Sequence, residues 1–285
     1  LAQTEDSMAA GAQDERYKGL FFLHIPKTAG SFVAQLFAER MGQEACIAFQ
    51  EREVQHAVSK GGPLSFLGRG FVSAHSPMAS LRRAGVHRHY EIFTVLRDPV
   101  DRLVSHLNWM DRFNHGIDLH SFAALKPGMK ELVRTLARYD PDSAADMRQL
   151  FLLDGLAKAR MFYNIQATML FAPRSGDILA YVDLERLTPV QVQRRLAGLA
   201  FCATLEQFKT GLGAAGIAIP EEARVNGGKT RRFRRTPQLE AACRRYVALD
   251  QRLYDLIAAG QPEFAPLLQR LLPPPAPGLR LAAGA

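Results

Sequence analysis

Short apolar runs rich in β-branched and aromatic residues alternate along this chain with stretches of helical periodicity, which predicts a parallel sheet flanked by helices. Leu20 to Ile25 reads as the first strand. Ser31 to Met41 follows as a helix with Phe32, Val33, Leu36, Phe37 and Met41 on one stripe. Phe71 to His75 and Tyr90 to Leu96 read as the second and third strands, and Ile178 to Asp183 as the fourth. The third strand runs directly into Asp98, Pro99 and Asp101, which suit the N-cap, first-turn and capping-box positions of another helix. That helix carries Val100, Leu103, Val104 and Leu107 on its inner face. The later part is mainly helical and ends in Leu239 to Ile257, where Leu239, Cys243, Tyr246, Val247, Leu253 and Tyr254 fall at helical spacing. The expected fold class is therefore α/β, with a central parallel sheet and a mainly helical C-terminal half.

With 285 residues, 47% of them hydrophobic and 22% charged, the chain can bury a full core. No Gly/Ser-rich or charge-rich linker interrupts its middle and no repeat is visible, so a single domain is expected over residues 17–272, with flexible tails at 1–16 and 273–285. Cys46, Cys202 and Cys243 are far apart and lack C-x-x-C spacing, which suggests neither a disulfide framework nor a zinc site and fits a reducing compartment. No apolar run reaches the length of a membrane span. A cytoplasmic location is expected, and the absence of an initial Met is compatible with a removed N-terminal anchor. The formal net charge of +8 points to an anionic partner. Arg224, Lys229, Arg231, Arg232, Arg234 and Arg235 crowd one stretch around Gly227 and Gly228.

The segment from His24 to Ser31, HIPKTAGS, lies where a buried strand gives way to a helix. Backbone N–H groups and the helix dipole can hold a phosphate at such a place, giving a P-loop-like site without the G-x-x-x-x-G-K-[ST] pattern of ATP and GTP loops. Lys27 adds a mobile charge, Thr28 and Ser31 add hydroxyl donors, and Gly30, after Ala29, allows close backbone approach. His24 is expected to shape this loop. A second strand end repeats the arrangement, with Arg97 at the terminus and Ser105 about two turns into the following helix, within the reach of a guanidinium. Asp98 and Arg102 read as a cap and its structural ion pair. His75 ends the second strand. In a parallel sheet, Lys27, His75 and Arg97 would share the carboxyl-end rim where ligands bind, and a histidine suits general-base work on a hydroxyl near neutral pH. His87 and His89 form an H-x-H without further metal ligands and read as a loop.

These segments together resemble PAPS-dependent carbohydrate sulfotransferases, most closely the group that includes heparan sulfate 2-O-sulfotransferases and many bacterial sulfotransferases. HIPKTAGS resembles their 5′-phosphosulfate loop and Arg97 to Ser105 their 3′-phosphate segment. Ala74 to Pro77 is similar to a G-H-x-P motif, Asn164 to Thr168 to an N-x-Q-T segment, and Thr204 to Phe208 to a late glutamate-containing motif. Arg224 to Thr230, with Leu249, Asp250, Leu253 and Tyr254, is similar to the nucleotide-covering loop and final helix. Phe32, Ala74 and the pair Met78 and Ala79 depart from the family's usual residues. The resemblance implies a PAPS co-substrate, no metal, no nucleic-acid partner and a hydroxyl-bearing acceptor, most often a glycan. It implies nucleotide binding by Lys27, Thr28, Ala29, Gly30, Ser31, Arg97, Ser105, Lys229 and Thr230, with Lys27 stabilising the leaving group and His75 taking the acceptor proton.

Two other readings stay open on the residues alone. One is a Mg-dependent nucleotide-binding phosphotransferase, which needs carboxylate or hydroxyl ligands for its metal. The other is a non-catalytic polyanion-binding module built on the 224–235 basic run, whose binding would fall steeply with salt.

Overall fold

The computed structural model describes residues 18–152, 162–172, 188–219 and 232–260. The N-terminal part runs β1 (Gly19–Leu23), α1 (Gly30–Met41), β2 (Cys46–Ile47), α2 (Glu51–Lys60), β3 (Phe71–Ala74), α3 (Met78–Arg83), β4 (Tyr90–Leu96) and α4 (Pro99–Asp111). Helices α5 (Leu119–Ala124), α6 (Pro127–Leu136), α7 (Ala144–Leu152), α8 (Ile165–Phe171) and α9 (Pro189–Leu196) come next, then β5 (Phe201–Thr204), α10 (Leu205–Ala214) and the long α11 (Pro237–Ala258). All strand pairs are parallel, in the order β2-β3-β1-β4-β5. The α/β class, the flanked parallel sheet and the helical C-terminal region are all present.

Two of these strands leave no periodic signature in the sequence, for different physical reasons. β2 is only two residues long and half-buried at the sheet edge, too short to carry a period. β5 is four residues wedged between helical patterns, and it is recognisable as a strand only through its pairing with Phe93 to Leu96. The strand expected at Ile178 to Asp183 lies outside the described residues, as do Lys229 and Thr230.

Alternation along β1 divides the core. Phe21 and Leu23 face one side, packing with residues of α2, α3, α8 and α11, while Leu20 and Phe22 face the other with α1 and α10. On that second face Phe201, Phe93 and Phe22 stack in series, with centroids 4.8 and 5.1 Å apart, and Phe22 stacks in turn on His24 at 5.3 Å. The aromatic row thus carries rigid packing from the core to the end of β1. A third cluster joins α4, α6, α7 and α11.

The helical half is tied to the sheet by a polar clasp. Asn164, at φ 42°, accepts through Oδ1 from Leu249 N–H at 2.9 Å and Asp250 N–H at 3.1 Å. Asp250, fully buried, accepts in return from Gln166 N–H at 3.2 Å and Ala167 N–H at 2.8 Å. Gln166 then brackets the end of β4, accepting from Arg97 N–H at 2.9 Å and donating to Arg97 O at 3.0 Å. The residues that resemble an N-x-Q-T segment are therefore the link from α11 to the strand end that presents Arg97. Burial pushes the Asp250 carboxyl up to about 6, with the charge of Arg102 opposing.

Replacing Asp250 by Ala strands two buried amide donors, at about 1–3 kcal/mol each. Urea unfolding of Asp250→Ala is expected to show a loss of about 2–5 kcal/mol. For the wild type, the raised carboxyl means that the native state holds a proton that the unfolded state has released. Its contribution to stability is therefore present below the ordinary carboxylate range and decreases as pH rises to about 6. Asp250→Asn is expected to flatten that part of the stability profile.

Candidate functional site

Parallel register puts the ends of β1, β3 and β4 side by side. Leu23 pairs with Ala74, His24 N–H donates to Ala74 O at 3.0 Å, and Thr94 Oγ1 donates to Leu23 O at 2.8 Å. Lys27, His75 and Arg97 consequently leave the sheet at one rim, as their places in the sequence suggest.

The loop after β1 is conformationally unusual. Lys27 and Ala29 have left-handed φ of 70° and 73°, while Thr28 between them does not. For non-glycine residues this costs roughly 1–2 kcal/mol each, and alternation of hand gathers successive N–H groups into an anion-binding concavity. α1 begins at Gly30, with Val33 N–H to Ala29 O opening its ladder, so the amides of Gly30, Ser31 and Phe32 precede the helical bonds. Ser31 is exposed on this first turn. Thr28, expected as a hydroxyl donor to phosphate, is completely buried, and its hydroxyl donates to Ile25 O at 2.9 Å, which closes the turn. Phe32 is also inside, edge-on to Phe208, which accounts for its departure from the family pattern.

Gly30 is fixed by His24. A Cβ at position 30 would lie 1.7 Å from His24 Nε2, so only a glycine lets the imidazole pass under the start of α1. Burial, then the charges of His75 and Lys27, lowers the His24 pKa to about 2, which keeps the ring neutral. His24 therefore shapes the loop, as expected from the sequence.

His75 is oriented from two sides. Its backbone N–H donates to Glu51 Oε1 at 2.8 Å, and its Nδ1 lies 2.7 Å from His24 O. A carbonyl oxygen can only accept, so Nδ1 carries the proton and Nε2 keeps the lone pair, the tautomer a base requires. The two imidazoles stand with centroids 4.1 Å apart. Beside His75 a cleft of about 610 Å³ is lined by Glu51, Gln55, His56, Ser59 and Ser80. Phe49 flanks both histidines, at 6.1 Å from His24 and 5.8 Å from His75; it is 59% exposed and held at φ 61°. Glu51 and Phe49 carry no signal in the sequence, because neither belongs to a motif and only the parallel sheet brings them to this rim. Ala74 and Met78, two further departures, are buried in the core.

Positive charge converges on Lys27. Burial lowers its pKa to about 8, followed by repulsion from Arg112, Arg97 and Arg102. Arg97 Nη1 reaches Lys27 O at 3.5 Å, while Ser105 stands half-buried on α4. The expected pairing of Asp98 with Arg102 is not found. Asp98 caps α4 by accepting from Val100 N–H and Asp101 N–H, and its ion-pair partner is Arg235 at 2.9 Å. Arg102 turns inward instead, wholly buried, with Nη1 3.4 Å from His106 Nδ1 and with Nε and Nη2 lacking hydrogen-bond partners. Asp101 also pairs with Arg235, at 3.3 Å, and does not act as a cap.

The basic run is partly structural. Arg232 pairs with buried Asp111 at 3.2 Å and donates to Tyr139 O at 3.0 Å, and Arg235 joins Asp98, Asp101 and Glu240. These two arginines hold α4, α6 and α11 together, which removes them from any continuous polyanion track. Thr204 and Gln207 form a capping box on α10, and Glu206 accepts from Tyr254 O–H at 3.0 Å, so the late glutamate-containing motif anchors α11. His87 and His89 lie in and after a 3-10 turn at Val86–Arg88. Among the described residues no group of three or more His, Cys, Asp or Glu is placed to hold a metal ion, and no helix is long and apolar enough to cross a membrane.

Residues 12–147, which contain the loop, His75, Arg97 and Ser105, match the family model described as Sulfotransferase family. No curated protein and no solved structure matches the chain.

The close fit of Gly30 over His24 is testable without any ligand. Gly30→Ala is expected to cost about 1–3 kcal/mol in urea unfolding, the range for an overpacked core position. In a His24→Ala background the added methyl has room and the extra cost should largely disappear, giving a coupling energy of at least about 1 kcal/mol. Simple additivity of the two changes would show that ring and glycine do not touch.

Proposed function

We propose, on the premise of the sulfotransferase-family match over residues 12–147, that this chain is a PAPS-dependent sulfotransferase acting on a hydroxyl of a carbohydrate. The observation that carries this reading is the shared rim: a left-handed, lysine-bearing loop at the end of β1 and a tautomerically fixed histidine at the end of the adjacent β3.

In this scheme the acceptor oxygen attacks sulfur in line with the bridging oxygen of the phosphosulfate. The bond from sulfur to that oxygen breaks, its electron pair leaves with 3′-phosphoadenosine 5′-phosphate, and the acceptor proton passes to His75 Nε2. Lys27 and the first amides of α1 hold the 5′-phosphosulfate, where their charge and dipoles act most strongly on the oxygen that becomes anionic. Arg97 and Ser105 take the 3′-phosphate; Lys229 and Thr230, the other nucleotide-binding residues that the resemblance implies, lie outside the described residues. The acceptor occupies the cleft beside His75. Its amide, hydroxyl and imidazole groups at Gln55, Ser59, Ser80 and His56 suit a hydroxyl-rich ring, and the exposed face of Phe49 offers an apolar surface for the ring's C–H face.

The direct test is incubation with labelled PAPS and a panel of glycan, phenolic and small-alcohol acceptors in EDTA, read as a sulfate mass shift. Sulfated glycan is the expected product. Transfer to none of them, or transfer of phosphate from ATP, would overturn the reading. With the acceptor so identified, His75→Ala is expected to lose roughly 10² to 10⁴-fold in single-turnover rate while product-nucleotide affinity stays near wild type. A folded His75→Ala protein that transfers at the wild-type rate would remove His75 from proton transfer.

A further inference from the structure

Lys27 has a neighbour outside the family motifs. Its Nζ lies 5.6 Å from the centroid of Trp109, within range for an ammonium over an indole face. The indole is well immobilised, standing edge-on to His106 at 5.6 Å and to Phe113 at 5.1 Å, with the Arg112 guanidinium 5.4 Å from the same ring. Trp109 sits on α4, the helix that begins just after Arg97. One rigid element therefore carries the proposed 3′-phosphate contacts at its start and a platform for the lysine of the 5′ loop near its end.

The geometry points to Trp109 as the positioning residue for Lys27, holding its ammonium by a cation–π contact in the place and charge state that leaving-group stabilisation needs. This rests on the sulfotransferase reading for its consequence in turnover, whereas the contact itself is independent of it. The need for such a platform follows from the surroundings. The charged and titratable groups around Lys27 are Arg97 at the end of β4, Arg102 and His106 on α4, Arg112 just beyond α4, and His24 at the end of β1. Burial keeps both histidines neutral, so among the described residues the charges acting on Lys27 are all positive. Burial and these arginines already lower Lys27 to about 8. An aromatic face stabilises the ammonium without adding a fixed anion that would repel phosphosulfate. A carboxylate in the same place would hold the lysine more strongly but would oppose the substrate.

Trp109 is the single tryptophan of the chain, so its emission reports on this contact directly. Titrating the full chain between pH 6 and 10 without nucleotide is expected to show a change in Trp109 fluorescence with a midpoint near 8, absent in Lys27→Met. In turnover, a lysine that must be an ammonium loses its effect as pH rises through its pKa. Removing the aromatic face lowers that pKa, so the alkaline limb of kcat in Trp109→Leu is expected to move down by roughly one unit. At pH 7.5 the loss of ammonium form should lower kcat roughly 3-fold with little change in KM for PAPS. Trp109→Phe, which keeps a π face and most of the packing, should recover much of both effects. Identical fluorescence titrations of wild type and Lys27→Met would overturn the contact. A Trp109→Leu protein, or Trp109→Phe if Leu does not fold, with the wild-type alkaline limb would overturn the positioning role. Failure of the wild type to transfer sulfate from PAPS would sink the functional reading separately, and the fluorescence titration, which needs no nucleotide, would still decide the contact.

Discussion

The parallel placement of β1 between β3 and β4 is the constraint on which the site depends. Because all three strands point the same way, their carboxyl ends deliver Lys27, His75 and Arg97 to one rim, although these residues are separated by tens of positions in the chain. The rim is then made rigid from beneath. The stacked row of Phe201, Phe93, Phe22 and His24 transmits core packing to the end of β1, and His24 O holds His75 Nδ1. On the other flank the clasp of Asn164, Gln166 and Asp250 ties α11 to both backbone groups of Arg97. The loops at this rim are anchored on both flanks in the buried polar and aromatic framework.

Electrostatics at the rim are lopsided by design of the fold. Acidic groups are present but engaged elsewhere: Asp98 and Asp101 with Arg235, Asp111 with Arg232, and Asp250 beneath Gln166. Glu51 is the carboxylate that reaches His75, and it does so through the backbone N–H. Among the described residues the charges that act on Lys27 are thus those of Arg97, Arg102 and Arg112, an excess that a multiply charged anion could offset. Burial at Lys27 and Arg102 strengthens that preference, since charges removed from water interact over a lower effective dielectric.

Elements with sustained periods were legible in the sequence, and the site was legible where it coincided with strand ends. Tyr90 to Leu96 matches its strand, and the expected Leu239 to Ile257 helix differs by two residues at its start and one at its end. The Asp98 cap could be read because Asp followed by Pro has a local mechanism. What escaped depends on tertiary placement. Proximity along the chain suggests Arg102 as the partner of Asp98, yet the turn of α4 points it into the interior and the distant Arg235 pairs with the cap. Thr28 looked like a phosphate donor by residue type, and only the left-handed residues on either side of it reveal that it turns inward. Glu51, Phe49 and Trp109 carry no local signature at all, because their neighbours at the rim come from other strands and helices.

On the function proposed above, the rim binds a nucleotide carrying phosphates at both 3′ and 5′ positions. Calorimetry of the wild-type chain in EDTA can compare 3′-phosphoadenosine 5′-phosphate with adenosine 5′-monophosphate. Arg97 and Ser105 are assigned to the phosphate that distinguishes the two ligands, so the bisphosphate is expected to bind at least about tenfold more tightly, the factor that corresponds to 1.4 kcal/mol. Arg97→Ala should erase most of that difference. Equal affinity for the two nucleotides, or binding only after Mg²⁺ is restored, would mean that the rim is not a site for a 3′-phosphorylated nucleotide.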